Sequence, residues 1–436
     1  MSDSELLMED HCEAYVFWKE RGVRGRTCLH VDAHLDVSEA GLDCGTLSAL
    51  AHACSAAELE PHRVSNYLPW GGFHCGNYLY PALREGLVDR LIWVVPPFMP
   101  GKDPVEWARG ELQNWVDLKQ GEFRALRLEQ GRVEGVLVER PLTLCTADNL
   151  PELSEPVLLD VDVDYLLDPD DRLWQSPWEL AESLAGVQRD LTTVAYSVNG
   201  GYTPLEHRWL GPATLEALTG RGRPEWVAAR MGRGPIPAGE PPAWYSETVE
   251  ERAINRGCLH FRRQEYAEAR RWFEQALPED GPLAAYLLAL TDSRSGRREE
   301  AVDAFEELAQ DRRLSPRERG YVQFLMARDL HREGRHPEAA AAFEKAAAAE
   351  PDNPVYLHHQ GLCLIDGGWV EQGTRTLRRA IRLGPDRLAA LELHYELFRL
   401  YRQLGQTAFA QAELRALSQK DVTGLYHLKA MAQSGR

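Results

Sequence analysis

The sequence predicts a protein in two parts, an α/β domain with a largely parallel sheet followed by an all-α repeat solenoid. Three observations carry that expectation. Up to about Arg230, short apolar runs alternate with amphipathic stretches. A segment dense in Gly and Pro, "GRGPIPAGEPPA", then breaks the pattern. Beyond it no strand-like run is visible, and one helical pattern recurs. A chain of 436 residues also exceeds what a single core usually supports, so two domains are expected on length alone.

In the first part, "RTCLHVDAH", "RLIWVVPPF", "PVLLDVDVD" and "TTVAYSVN" read as buried strands, rich in Val, Leu and Ile. Between them, "NYLYPALREGLVD" and "PWELAESLAGVQRDL" carry the spacing of amphipathic helices. Such alternation implies a parallel sheet sandwiched by helices, with a ligand site beyond the carboxyl ends of the strands. The expected boundaries are an α/β domain over 1–232, a linker over 233–245 and a helical domain over 246–436.

In the second part "EYAEARRWFEQAL", "RREEAVDAFEELA", "HPEAAAAFEKAAAAEPDNP", "WVEQGTRTLRRAIRLGP" and "TAFAQAELRAL" repeat one theme. Ala269, Ala301, Ala339, Gly373 and Ala410 hold the same place in it. The spacing is about 34 residues, the period of the tetratricopeptide repeat, which this region resembles from 246 to about 420. Small residues at that place let paired helices approach closely, and Phe273, Phe305 and Phe343 are expected to fill the seam. Stacked hairpins of this kind form a solenoid.

Composition narrows the function. With 44% hydrophobic residues and no apolar run near the roughly 20 residues of a membrane span, the chain reads as soluble, and its acidic N-terminus is unlike a signal peptide. A cytoplasmic protein is expected. The eight cysteines form no CxxC pair and no disulfide framework, and read as reduced core residues. A net charge of -18 argues against general affinity for nucleic acid and favours a cationic ligand.

Two acidic runs stand at strand ends. "HVDAHLD" sets Asp32, His34 and Asp36 at alternate positions, and "LLDVDVDYLLDP" does the same for Asp160, Asp162 and Asp164. Alternate positions on a strand face one way, so each run is expected to converge on a small volume. Crowded, buried carboxylates are costly unless cations neutralise them. Taken singly, either run also suits an Asp-rich turn that caps a helix; together they point to one shared metal site. Carboxylates dominate and neither motif contains cysteine, so hard ions such as Mn²⁺ are expected, and the number of ligands suits two of them.

These motifs resemble those of a known family. "HVDAHLD" is similar to the DAHxD motif of arginases, and "LLDVDVDYLLDP" to their second metal motif. "MEDHCEAY" resembles their first ligand segment. Taken with "NYLYPALREGLVDRLIWV", they resemble the atypical arginase-like family that includes ornithine-forming peptide arginases, over residues 8 to about 210. The resemblance implies an arginase-like fold, two Mn²⁺, and the metal ligands His11, Asp32, His34, Asp36, Asp162 and Asp164. Asp160 is treated as orienting a ligand. Ser197 stands where arginases carry a substrate-binding Glu, and Glu206 or Glu13 is expected to supply that carboxylate. Asp168-Pro169 lies one residue further from Asp164 than the family pattern has it.

The activity so implied is hydrolysis of arginine side chains in a precursor peptide to ornithine and urea, with the repeats gripping the peptide. Water bound to two cations is acidic enough to act as nucleophile at neutral pH. A proton must also reach the departing amine; His74, in a Gly-flanked loop, is the expected shuttle, with His52 a second choice and Asn77 a substrate contact. Two alternatives stay open: a deacetylase or other amide hydrolase of the same fold, and a non-catalytic repeat adaptor.

Overall fold

The computed structural model describes residues 3–434, except 39–41, 43, 66, 68–71, 116–119, 246–251, 352, 384–386 and 422–424. The chain divides into two compact units, Met1–Glu265 and Tyr266–Arg436.

The first unit is built on one eight-stranded sheet. Its strands are β1 (Glu5–Met8), β2 (Arg26–Val31), β3 (Val88–Val94), β4 (Arg127–Glu129), β5 (Arg132–Leu137), β6 (Arg140–Cys145), β7 (Val157–Asp162) and β8 (Arg189–Ala195). They lie in the order β1-β8-β7-β2-β3-β6-β5-β4. From β1 to β6 in that order all pairings are parallel; β5 and β4 extend the edge antiparallel. The four strands expected from their apolar runs, β2, β3, β7 and β8, are the centre of the sheet.

Alternation along these strands sorts the core onto two faces. Cys28, Leu91, Trp93 and Leu158 pack on one side with Tyr15, Trp18, Leu79 and Leu83 from the helices Glu13–Glu20 and Leu79–Arg84. Leu29, Val31, Ile92, Val94, Leu159 and Val161 pack on the other with Leu180, Leu210 and Trp226 from the helices Pro177–Ser183, Leu210–Leu218 and Pro224–Arg230. Burial on both faces explains why the central strands read as nearly unbroken apolar runs.

The expected boundary at 233–245 differs from the compact division. Residues 232–242 contain no helix or strand, as their Gly and Pro content predicts. The Ala243–Tyr245 turn nevertheless ties into the first unit: Trp244 is buried, stacks on Trp209 at 5.7 Å and donates to Glu216 Oε2 at 2.9 Å. The following helix, Ala253–Arg262, also belongs to that unit. It lies against the turn at Gly201, whose φ of 77° suits glycine and where a Cβ would collide with the Cys258–Leu259 backbone. Asn255 donates to Asn199 at 2.9 Å, and Arg263 pairs with Asp171.

The second unit is helical throughout its described residues. Its first long helix, Tyr266–Ser295, kinks at Gly281 between Pro278 and Pro282. The part after the kink pairs with Arg298–Leu308. Three further pairs follow: Pro316–Arg332 with His336–Ala349, Pro354–Asp366 with Val370–Arg382, and Arg387–Gln403 with Thr407–Lys420. Ala269, Ala301, Ala339, Gly373 and Ala410 are all buried, as are Phe273, Phe305 and Phe343. At Gly373 the reason is explicit, since a Cβ there would press on the carbonyl of Gly361 and on Ile365 in the partner helix. This is a tetratricopeptide-like repeat array.

Candidate metal centre

Two sheet registers assemble the floor of the site. His30 of β2 lies opposite Asp160 of β7, and Asp160 lies opposite Thr193 of β8. Residues in register on neighbouring parallel strands point to one face, so these three form a row. Thr193 Oγ1 donates to Asp160 Oδ1 at 2.5 Å, and His30 Nδ1 lies 3.0 Å from Asp160 Oδ2. Tyr78, from the turn before the helix Leu79–Arg84, donates to the same Oδ2 at 2.5 Å. Asp160 therefore has its oxygens engaged from three sides, and it faces His11 Nε2 at 3.2 Å.

Above this row the strands end and the chain turns. The convergence expected from alternation along a strand arises differently: β2 stops at Val31, and only Asp160 and Asp162 of the two acidic runs are in strand conformation. Asp32 and Asp162 each fold back on the following backbone, their Oδ1 atoms accepting from the N–H of His34 at 2.7 Å and of Asp164 at 3.1 Å. This side-chain turn leaves both Oδ2 atoms facing inward. Asp36 is brought in by a left-handed backbone, φ 52°, which an aspartate tolerates better than most residues.

The outcome is two groups of donor atoms that share Asp32. Around His11 Nδ1 lie Asp36 Oδ2 at 3.1 Å, Asp32 Oδ2 at 3.2 Å and Asp162 Oδ2 at 3.3 Å. Around His34 Nδ1 lie Asp164 Oδ2 at 2.9 Å and Asp32 Oδ1 at 3.6 Å. His11, Asp32 and Asp162, and separately Asp32, His34 and Asp164, place one ligand atom each within 4.8 Å of one another. All six residues expected as ligands are thus in one place. His11, Asp32, Asp162 and Asp164 are buried, while the His34 side chain is 45% exposed and marks the side open to solvent.

The electrostatics reflect carboxyls and imidazoles crowded together away from water. Burial, together with Asp164 and Asp32, pushes the Asp162 carboxyl up to about 7, and burial with Asp32 pushes Asp36 up to about 6. Burial opposes ionisation of Asp32 and Asp160 as well, but the histidines beside them outweigh it and hold both below the usual carboxylate range. His11 Nδ1, Asp32 Oδ2 and both Asp164 oxygens are buried without a hydrogen bond of good geometry. Buried polar atoms so left carry a cost that a cation between them removes. Hard oxygen donors with two imidazoles suit Mn²⁺.

The other expected residues are not members of these two donor groups. His74 is buried beside it in chain terms, one residue from Cys75, whose thiol is pushed up by burial and by Asp10, Asp36 and Asp162. Its Nδ1 accepts from Gly76 N–H at 3.1 Å, its Nε2 has no hydrogen bond, and burial pushes it down to about 4 against the pull of Asp10. Asn77 uses both its polar groups within that loop, accepting from His74 N–H at 2.7 Å and donating to Gly72 at 3.2 Å. Glu13 accepts from Asp10 N–H at 3.2 Å and lies 3.6 Å from Arg63. Glu206 is exposed on the short Leu205–His207 turn, and His52 is exposed and bonded to Ser48 at 2.7 Å. Ser197, at φ 48°, donates to Asp162 Oδ2 at 2.5 Å and so holds one of the clustered carboxylates.

Reading the sequence missed His30, Tyr78, Thr193 and Tyr202. The first three hold Asp160, and their signal is strand register. Tyr202 meets the His34 ring edge-on at 5.2 Å, and the Arg262 guanidinium stacks on Tyr202 at 3.5 Å. The open side of the cluster is therefore flanked by an aromatic ring held from the helix Ala253–Arg262.

No family model and no curated protein matches the chain. Among solved structures it is similar to MamA from Desulfovibrio magneticus RS-1, with 17% identity over 39% of this chain and 92% of that one at a TM-score of 0.35. It is also similar to the kinesin light chain TPR-like repeats of Podosopora anserina, with 20% identity over 40% of this chain and 98% of that one, again at 0.35. Similarity this loose adds nothing on function, and the repeat architecture rests on the helix pairs described above. No described helix is long and apolar enough to cross a membrane.

Proposed function

We propose that the first unit is a binuclear manganese hydrolase that converts arginine residues of a peptide to ornithine with release of urea, as its resemblance to the peptide arginases implies. The observation that supports this reading is the pair of donor groups around His11 and His34 that share Asp32. His11, Asp32, Asp36 and Asp162 would hold one cation, and Asp32, His34 and Asp164 the other. When bound, the pair supplies Lewis acidity and water of lowered pKa at neutral pH.

The chain's own groups have separate tasks. Asp160 keeps the proton on His11 Nε2 and so presents Nδ1 as the ligand atom, the usual role of a carboxylate behind a metal histidine. Tyr202, with Arg262 stacked on its ring, flanks the approach past His34. His74 is kept as the proton shuttle on its unbonded Nε2, and its buried, neutral ring would first have to gain a second proton before it could protonate the departing amine. The acidic surface draws in a cationic side chain, and a repeat unit that holds the precursor raises the local concentration of its arginines.

The test is to incubate Mn²⁺-loaded protein with arginine-containing precursor peptides and measure peptide mass. A loss of about 42 Da per arginine is expected from a hydrolase of this type, and Asp32→Ala should abolish it. Unchanged masses alongside one tightly held Zn²⁺ would turn the reading toward an amide hydrolase. An Asp32→Ala protein that keeps every measurable property would favour the adaptor.

A further inference from the structure

A second group of metal-binding side chains lies in the repeat unit and takes no part in the site above. His331 is in the last turn of Pro316–Arg332, His336 opens the next helix, and Cys363 lies near the end of Pro354–Asp366. One donor atom from each falls within 4.8 Å of the others. The two imidazole centroids are 5.4 Å apart, and Cys363 Sγ lies 3.6 Å from the carbonyl of His336. Asp366 accepts from His331 Nε2 at 2.9 Å, the carboxylate support typical of a metal histidine. His336 Nδ1 is buried without a hydrogen bond.

We propose that His331, His336 and Cys363 bind a thiophilic divalent cation, Zn²⁺ by preference, which staples the turn at Gly334 to the helix of the following repeat. The donor set is the reason for the choice: one sulfur and two imidazoles suit zinc, whereas the acidic cluster of the first unit offers oxygens and imidazoles only. Three protein ligands leave one tetrahedral position for water. Without an ion, burial and Asp366 push the Cys363 thiol up to about 11, so binding releases its proton to solvent as the thiolate forms. Gly334, at φ 74°, makes the tight reversal that brings His331 and His336 together, and two residues fixed to Cys363 across the helix pair would stiffen this part of the array.

The experiment is titration of the full-length, metal-free protein with Co²⁺, followed by near-ultraviolet absorption. A thiolate-to-cobalt charge-transfer band whose final intensity corresponds to one site per chain is expected, and Zn²⁺ should bleach it. Cys363→Ser should remove the band while Asp32→Ala keeps it. Should Cys363→Ser lose its helical circular dichroism, Cys363→Ala and His336→Gln serve together: the first should remove the band, and the second should remove it at the Co²⁺ concentration that half-saturates the wild-type protein. No band in the wild-type protein, or a band that survives Cys363→Ser or His336→Gln, overturns the assignment. Because the readout requires a sulfur ligand, it is independent of whether the first unit holds manganese.

Discussion

In the first unit, residues that act together are neighbours only because strands far apart in sequence pair: His30, Asp160 and Thr193 meet through two registers that span more than half of that unit. In the second, Ala301 and Phe305 serve within one helix and recur as Ala339 and Phe343 in the next repeat. The first unit therefore concentrates its chemistry at the carboxyl ends of the central strands, where it accumulates charge that apolar burial cannot compensate. The second spreads modest, similar contacts along its length and leaves its surface to recognition. The difference teaches that the costly element, buried and mutually repelling carboxylates, sits where long-range pairing can hold it rigid.

The largest effect should come from breaking the shared ligand. Asp32→Ala is expected to lower manganese content from two ions per chain to none and turnover by roughly 10³-fold or more, read by metal analysis and the peptide mass assay. In the repeat unit, Phe305→Ala should cost about 3–5 kcal/mol of that unit's stability by leaving a cavity, and chemical denaturation should show it while the manganese content of the protein stays the same. Removing the support behind His11 is expected to do less. Thr193→Val or Tyr78→Phe frees an oxygen of Asp160, and manganese affinity measured by competition with a chelator should fall about 10- to 100-fold.

The smallest effect is a dependence on pH. Asp162 and Asp36 have folded values near 7 and 6, above those of an unfolded carboxyl. Such groups favour the fold at low pH, and that contribution is lost as pH rises through about 6 to 7. The metal-free protein therefore loses stability from these two groups across that window, and cations, which require the ionised forms, restore it. The gap in Tm between manganese-loaded and chelated protein should widen from about pH 5 to pH 8. His74, pushed down to about 4, pulls the other way, but it does so in both states and drops out of the difference.

Much of this was legible in the sequence because it is local. The apolar runs of β2, β3, β7 and β8 needed no partner to be recognised, and neither did the repeating Ala and Phe of the helical hairpins. The six clustered residues were visible as two acidic runs and one Asp-His pair. What escaped depends on pairing or on backbone detail. The antiparallel edge turns between β5 and β6 through Val138 and Glu139, both at positive φ, where a reading keyed to Asn-Gly or Asp-Gly finds no hairpin. His30 reads as a strand residue until its register with Asp160 is known. The side-chain turns of Asp32 and Asp162 reach the geometry that alternation along a strand suggested, by another route.

Anomalous diffraction from crystals grown with Mn²⁺ tests the central claim most directly. Two manganese peaks are predicted, one bounded by His11, Asp36 and Asp162 and the other by His34 and Asp164, with Asp32 between them. Density showing these side chains turned apart, and no anomalous signal among them at saturating manganese, would contradict the account.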